Sequence, residues 1–551
     1  MAPPGSRFAT PTLLAILGLS RLVVPATLAA QEPPGESPAV AFGEVLEVRV
    51  VNVEVVVTDR QGTRVTGLQA SDFQLYVDGK EAPLGYFTEV KGGVAVGAEG
   101  EALGLPASLS RGSPVGTSYL VFVDEYYSYA ADRDRVVDAL LEQLPHLGAE
   151  DRMAIVAYDG RDLEMLSSWS QSHAQLERTL RRLRGRPAYG QQRSFERRSH
   201  DLQRRAAAGL FSRDAAGLDL EERQHLDEVS GQLERMALAV SSTLRGFGSP
   251  PGRKVMILLS GGWPFDPVDW VTDTVARPVL ESAEFQGGQL FEPIVGTANL
   301  LGYTLYPVDV SGVQGKAIET RGIGDELGSP SGLSFVRENE LHSTLRHLAS
   351  ETGGEALLDT DRRRPLEAPA ADTRSYYWLG FTPSWRGDDE RHTIEVRLRR
   401  PDLEVRSRSG FADLSRARQV SLVVESALLF GDPPSPLPLV ARFGQPSKAG
   451  AGRLELPLTI GIPLDAITLL PAPNGFVAQL ELRVAVLDDR GGQNEIPVVP
   501  ITLAMPERPE AGKFAKYETA VLLRKRTSKV VVALYDVASG TILSTSAELG
   551  L

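Results

Sequence analysis

Four short, largely apolar runs, separated by segments of helical periodicity, constrain this chain more than any other feature. Tyr119–Val123, Met153–Tyr158, Val255–Leu259 and Thr304–Val308 each have the length of one buried strand. Between the first two, Val136, Val137, Leu140, Leu141 and Leu144 recur at helical spacing, so 132–146 reads as an amphipathic helix. Leu176, Leu180 and Leu183 mark a second helix, and Leu341, Leu345 and Leu348 a late one that stops at Gly353-Gly354. A strand with no polar alternation has to be covered on both faces. The pattern therefore predicts a mostly parallel, doubly wound α/β sheet between helical layers.

On either side the periodicity changes. Residues 44–90 hold Val53–Val57, Phe73–Val77 and the hairpin signal Asp78-Gly79, which fits a small N-terminal β-sandwich of immunoglobulin type. A Gly/Ala/Ser-rich linker, 91–116, follows. The α/β domain is expected over 117–415, with a polar helical insertion at about 185–250 and a Pro/Gly/acid-rich loop insertion at about 264–300, bearing Trp263 and Trp270. From 418 to 551 strands recur without helices, as in Leu480–Leu487 and Val530–Tyr535, predicting a C-terminal β-sandwich. The fold class expected is thus multi-domain, a central α/β domain flanked by two β-sandwiches.

The 551 residues contain no cysteine, which excludes thiol catalysis, disulfides, cysteine-bound zinc and a lipidated N-terminal cysteine. A net charge of -13 argues against a nucleic-acid partner. Arg7, the apolar Leu13–Leu19 and small residues at Ala26–Ala30 read as a signal peptide over 1–30, followed by a linker over 31–43. No later stretch reaches the roughly 18 apolar residues of a membrane span, so no transmembrane segment is expected in the mature chain. Export without cysteine fits a bacterial periplasm or exterior.

Asp124 ends the first apolar run, with Ser128 four residues on. A carboxylate at the carboxyl end of a parallel strand faces the crevice where open α/β sheets bind ligands, and with a hydroxyl beside it can hold a divalent cation. Equally, it can cap the turn by accepting local amides. Tyr126, Tyr127 and Tyr129 stand where a partner would dock or pack beneath the loop. Ten arginines between Arg181 and Arg213 form a basic patch or a solvated helical surface, and Asp309 ends the Thr304 strand. His342 and His347, five apart, lie off one helical face and read as surface residues rather than a zinc pair. No nucleophile elbow, phosphate-binding loop or His-Glu-x-x-His motif occurs, so an enzyme is not expected.

Several of these segments together resemble a bacterial family of exported proteins with a von Willebrand factor A-related domain. They are Val53–Asp59, Gly67-Leu68-Gln69-Ala70-Ser71-Asp72-Phe73, the Asp124 strand, Ala157-Tyr158-Asp159, Leu258–Gly262 and His392–Arg397. The resemblance covers roughly 45–412. It implies a Mg²⁺ or Mn²⁺ site on three loops, Asp-x-Ser-x-Ser, a Thr and an Asp, completed by a partner's carboxylate. Asp124 and Ser128 match the first loop, with Tyr126 in place of its middle Ser. Ser170 is the candidate for the second-loop hydroxyl, and Gly261 stands where the third-loop Asp belongs. A site so reduced would hold its cation weakly unless Glu125, Asp159 or Asp266 substitutes. The function implied is an exported, non-enzymatic binding or adhesion module for a protein or surface glycan at this sheet edge, with Gly261 and the three tyrosines on its binding face. The alternative is a structural component of an envelope or secreted assembly with a vestigial metal site.

Overall fold

The computed structural model describes residues 50–100, 112–196, 199, 220–247, 252–272, 287–311, 333–358, 363–384, 386–430, 439–450, 453–488, 493–524 and 527–549. The expected signal peptide, the linker after it, and residues 197, 198 and 200–213 of the arginine-rich stretch lie outside the described residues.

The central sheet has five strands: β1 (Thr117–Asp124), β2 (Arg152–Tyr158), β3 (Leu163–Ser170), β4 (Arg253–Ser260) and β5 (Tyr303–Asp309). Their order is β5-β4-β1-β2-β3, parallel except for β3, which runs antiparallel at one edge. The helices are α1 (Ala130–Gln143), α2 (His173–Leu183), α3 (Leu220–Gly246), α4 (Pro267–Thr272), α5 (Gly287–Leu301), α6 (Leu333–Glu351) and α7 (Glu367–Arg374).

Alternation along each strand divides the core in two. Tyr119, Val121 and Val123 point to one face, where α1 and α2 close over them with Val137, Leu140, Leu176 and Leu180. Leu120 and Phe122 point to the other, under Leu233, Met236 and Val240 of α3 and Phe291, Ile294 and Val295 of α5. This corrects the reading of 185–250 and 264–300 as surface insertions. The α3 and α5 portions are covering helices, because a strand apolar on both sides needs a second helical layer.

A second correction concerns the flanking domain. Val51–Asp59 pairs with Ser375–Phe381 on one side and Leu403–Arg406 on the other. Phe73–Val77 pairs with Arg391–Leu398. Residues 375–412, expected in the α/β domain, therefore complete the first sandwich, and the α/β domain is inserted between its strands. The interior holds Val53, Val55, Leu75, Leu379 and Ile394 around Phe73, Phe87 and Tyr377, whose rings lie 5.1–5.7 Å apart. Residues 44–90 alone lack the strands needed to bury these side chains.

A buried ionic knot joins sandwich to α/β domain. Asp372, on α7, accepts from Arg64 (2.7 Å) and Arg406 (2.9 Å) of the sandwich and from the Tyr306 hydroxyl of β5 (2.7 Å). Arg253 of β4 donates to its main-chain oxygen at 2.6 Å and stacks over Tyr376 at 4.4 Å.

Beyond residue 415 a helix, α8 (Arg416–Phe430), precedes the strands, where the sequence pattern gave none. Val530, Val532 and Leu534 face the interior of the C-terminal pair of sheets. Val531, Ala533 and Tyr535 face outward onto Val420, Val424 and Leu428 of α8. Among the described residues no helix is long and apolar enough to cross a membrane.

Candidate functional site

Strand β1 delivers Asp124 to the point where the connections leaving the sheet diverge, between β1 and β4, the usual ligand crevice of such sheets. Here the protein fills it. Oδ1 of Asp124 accepts the amides of Tyr126 (3.0 Å) and Tyr127 (2.9 Å), closing the turn. Oδ2 accepts the Ser260 hydroxyl (2.6 Å) and the Trp263 indole N–H (2.9 Å). Asp124, Ser260 and Trp263 are all fully buried. Burial pushes the carboxyl of Asp124 upward, and the Ser260, Tyr127 and Trp263 donors, with the charge of Arg193, oppose it.

The third loop explains how the indole reaches this position. Gly262 adopts φ +89° against Leu341, a conformation that favours glycine. Gly261 passes so close to the Tyr127 carbonyl that a Cβ there would overlap it, with Ser311 Oγ 2.7 Å away. The Trp263 ring then stacks on Phe291 with centroids 5.7 Å apart, and its carbonyl accepts from Thr344 (2.7 Å). Gly261 is a packing position and not a face open to a ligand, which corrects its expected role.

The remaining candidates are placed as follows. Ser128 is buried near Asp124, and its hydroxyl has no hydrogen-bond partner. Ser170 pairs with Met153, whereas Asp124 pairs with Tyr158. It therefore sits five residues away along β2, about 17 Å at ~3.3 Å per residue, at the opposite end of the sheet. There its hydroxyl accepts the Ser172 amide and donates to Gln175, at the start of α2. The antiparallel direction of β3 carries it away from the crevice, so the expected grouping with Asp124 is corrected.

The acids that might have substituted are engaged as well. Glu125 is buried, with Arg186 at 2.6 Å and Arg133 at 3.7 Å. Asp159 accepts two amides of its own turn, and Asp266 caps α4 by accepting from Val268. Of the expected cation donors, the Ser128 hydroxyl has no hydrogen-bond partner, and Asp159 accepts its two amides through Oδ1. A Mg²⁺ or Mn²⁺ shell needs near-octahedral oxygen geometry. Building one here would require Asp124 to give up protein donors, so the donor set does not fit the cation.

The chain also covers this edge with its own residues. The Tyr189 amide donates to the Glu125 carbonyl (2.8 Å) and the Gly190 amide to the Ser128 carbonyl (3.0 Å). Gly190 permits that approach, since a Cβ would lie 2.7 Å from Ser128 O. Arg193 lays its guanidinium 4.1 Å over the Tyr127 ring, and Tyr129 shares a hydrogen bond with Ser194. Of the two alternatives for the tyrosines, docking or packing beneath the loop, Tyr127 takes the second and is buried, while Tyr126 and Tyr129 are half-buried.

Beside the loop a groove of about 330 Å³ opens between Arg193, Phe195, Glu196 and Ser199 on one side and α3 on the other, with Tyr127, Glu228, Val229 and Trp270 also in its lining. Phe195, also in the lining, is 71% exposed. His342 is buried 3.7 Å from Asp309, not on the surface as its spacing suggested. Sequence reasoning missed Ser260, Trp263 and Arg193. The Ser-Gly-Gly-Trp run was the available signal for the first two, whereas Arg193 was one arginine among ten.

No protein-family model matches this chain, and no curated protein sequence does. Among solved structures, the vWF domain of the type V pili tip protein Mfa5 from Porphyromonas gingivalis is 14% identical. That match covers 42% of this chain and 95% of the other, at a TM-score of 0.20. The pilus adhesin SpaC from Lactobacillus rhamnosus GG is 8% identical, covering 89% and 62% at 0.24. The N-terminal domain of TFIIH p34 is 13% identical, covering 45% and 93% at 0.17. Scores this low carry no argument about fold or function.

Proposed function

We propose that this chain is an exported, non-enzymatic interaction protein with a von Willebrand factor A-like central domain, and that its Asp124 loop works without a cation. The observation that carries this reading is the four-donor shell of Asp124, which gives the carboxylate a structural partner on each oxygen. Recognition of a protein or surface glycan then falls to the groove beside the loop. There an exposed phenyl, an indole and charges of both signs stand together, a combination suited to amphipathic ligands. The second reading, a structural component of an envelope assembly, is favoured by the Asp372 knot, which ties the inserted domain to its sandwich.

The test is capture of the full chain on a glycan array and a displayed-peptide library, with Mg²⁺ or with EDTA. The binding reading expects capture insensitive to EDTA and weakened by Phe195→Ser. Capture abolished equally by EDTA and by Asp124→Asn would restore the metal-dependent reading. Failure to capture in either arm would favour the structural component.

A further inference from the structure

A second cluster of metal-ligating side chains lies far from Asp124 in sequence. Asp388 sits in the loop between strands Ser375–Phe381 and Arg391–Leu398, His392 opens the second of these, and Asp413 follows strand Gly410–Ala412. One ligand atom from each lies within 4.8 Å of the others. Proximity of acidic groups alone would mean little, but two further observations point to a ligand.

The first is Asp413. It is 2% exposed, and Oδ2 accepts the amides of Arg386 (2.5 Å) and Gly387 (3.0 Å). Oδ1 is buried with no hydrogen-bond partner. A buried carboxylate oxygen left bare costs free energy unless something fills its lone pairs. The carboxylate is also held still, because its backbone is pinned to the same loop by Asp389 N–H to Asp413 O (2.9 Å) and Asp413 N–H to Glu390 O (3.0 Å).

The second is His392. Nδ1 lies 2.7 Å from Asp78 Oδ2, and the ring stacks on Phe411 at 5.1 Å. Asp78 is itself fixed, its Oδ1 accepting the Thr393 amide at 2.9 Å. A carboxylate on one ring nitrogen sets the tautomer and leaves the other, Nε2, with its lone pair outward, the arrangement found behind histidine metal ligands. Nε2 faces Asp388 Oδ1 at 3.9 Å.

We propose that Asp388, His392 and Asp413 form a binding site for a divalent transition cation, Zn²⁺ in preference to Mn²⁺, with Asp78 orienting the imidazole. An imidazole nitrogen with two carboxylates suits these borderline ions, whereas Mg²⁺ and Ca²⁺ favour oxygen donors. Zn²⁺ ligand bonds of about 2.0–2.1 Å require the donors to draw together. The exposed Asp388 can supply that movement, while His392 and Asp413 are held. The cation would clamp residues 386–390 to the segment leaving the sandwich, next to the bond from the Ser415 amide to Asp389 (2.7 Å) and ahead of α8. Its role is to stiffen the junction with the C-terminal domain.

The experiment is titration calorimetry of ZnCl₂ and MnCl₂ into the untagged, chelator-stripped full chain. One Zn²⁺ per chain is expected, with weaker Mn²⁺ binding. His392→Gln and Asp413→Asn should abolish saturable binding, and Asp78→Asn should weaken it by about 10–100-fold. Asp124→Asn should leave it unchanged. Circular dichroism in chelator checks the fold, and the exposed Asp388→Asn serves if a buried variant fails to fold. Zinc binding that is absent at millimolar metal, or unchanged in folded His392 and Asp388 variants, would overturn the site.

Discussion

Asp124→Ala separates a structural carboxylate from a cation ligand. The variant leaves the Tyr127 amide, the Ser260 hydroxyl and the Trp263 indole N–H without their acceptor in a buried position. The half-buried Tyr126 amide can turn to water, and each donor that cannot costs about 1–3 kcal/mol. Losing a charge whose burial is itself unfavourable offsets part of this, so the net loss is about 3–4 kcal/mol and not the full sum. For a domain of roughly 250 residues each kcal/mol moves the midpoint by about 2–4 °C, giving a fall of about 6–16 °C. The assay is scanning calorimetry of the wild-type and variant chains, in chelator and in millimolar MgCl₂ or MnCl₂. Tryptophan fluorescence separates these transitions from that of the C-terminal domain, since all five tryptophans precede residue 386. The structural reading expects the full loss in chelator and no metal-dependent recovery in either chain. A variant within about 2 °C of wild type in chelator, with Mg²⁺ raising the wild type alone, would refute it.

Placing an acid on the third loop with Gly261→Asp should lower the melting temperature and create no Mg²⁺ site, because its Cβ meets the Tyr127 carbonyl; saturable Mg²⁺ heats from a folded variant would contradict this. Trp263→Phe keeps a ring against Phe291 but removes one donor to Asp124, and should cost about 1–2 kcal/mol by urea denaturation. Asp372→Asn should cost about 2–4 kcal/mol, below the full penalty of a broken buried pair because Arg64 and Arg406 retain some access to water. Burial raises the Asp372 carboxyl, but Arg406, Arg64 and the Tyr306 hydroxyl outweigh it and hold it below the ordinary carboxylate range. Its contribution is therefore present above about pH 4, the unfolded value, and is lost as pH falls through the lower folded value. The gap between wild type and Asp372→Asn should narrow on acidification below pH 4, and a gap that widens there would reverse the assignment.

The central strands and the first covering layer were legible because they depend on local periodicity. Tyr119–Val123 is apolar at every position, so burial on both faces follows from the sequence whatever the rest of the chain does. The Val136/Leu140 stripe likewise marked α1. The second layer was harder to see. Leu233, Met236, Val240 and Leu244 do recur at helical spacing, but they lie in a long polar helix, and its average composition masked the stripe.

Sequence by itself also placed Asp124 at a strand end with Ser128 four residues on, and it showed the two departures from a metal-binding pattern at Tyr126 and Gly261. Only the tertiary structure decided what surrounds the Asp124 carboxylate. Strand direction put Ser170 at the far end of the sheet, and the Gly261-Gly262 turn brought an indole from 139 residues away onto Asp124 Oδ2. The pairing of Val51–Asp59 with Ser375–Phe381 likewise made the α/β domain an insertion in its neighbour. Each of these depends on partners distant in the chain, and neither hydropathy nor spacing carries information about which distant groups will share a buried hydrogen bond.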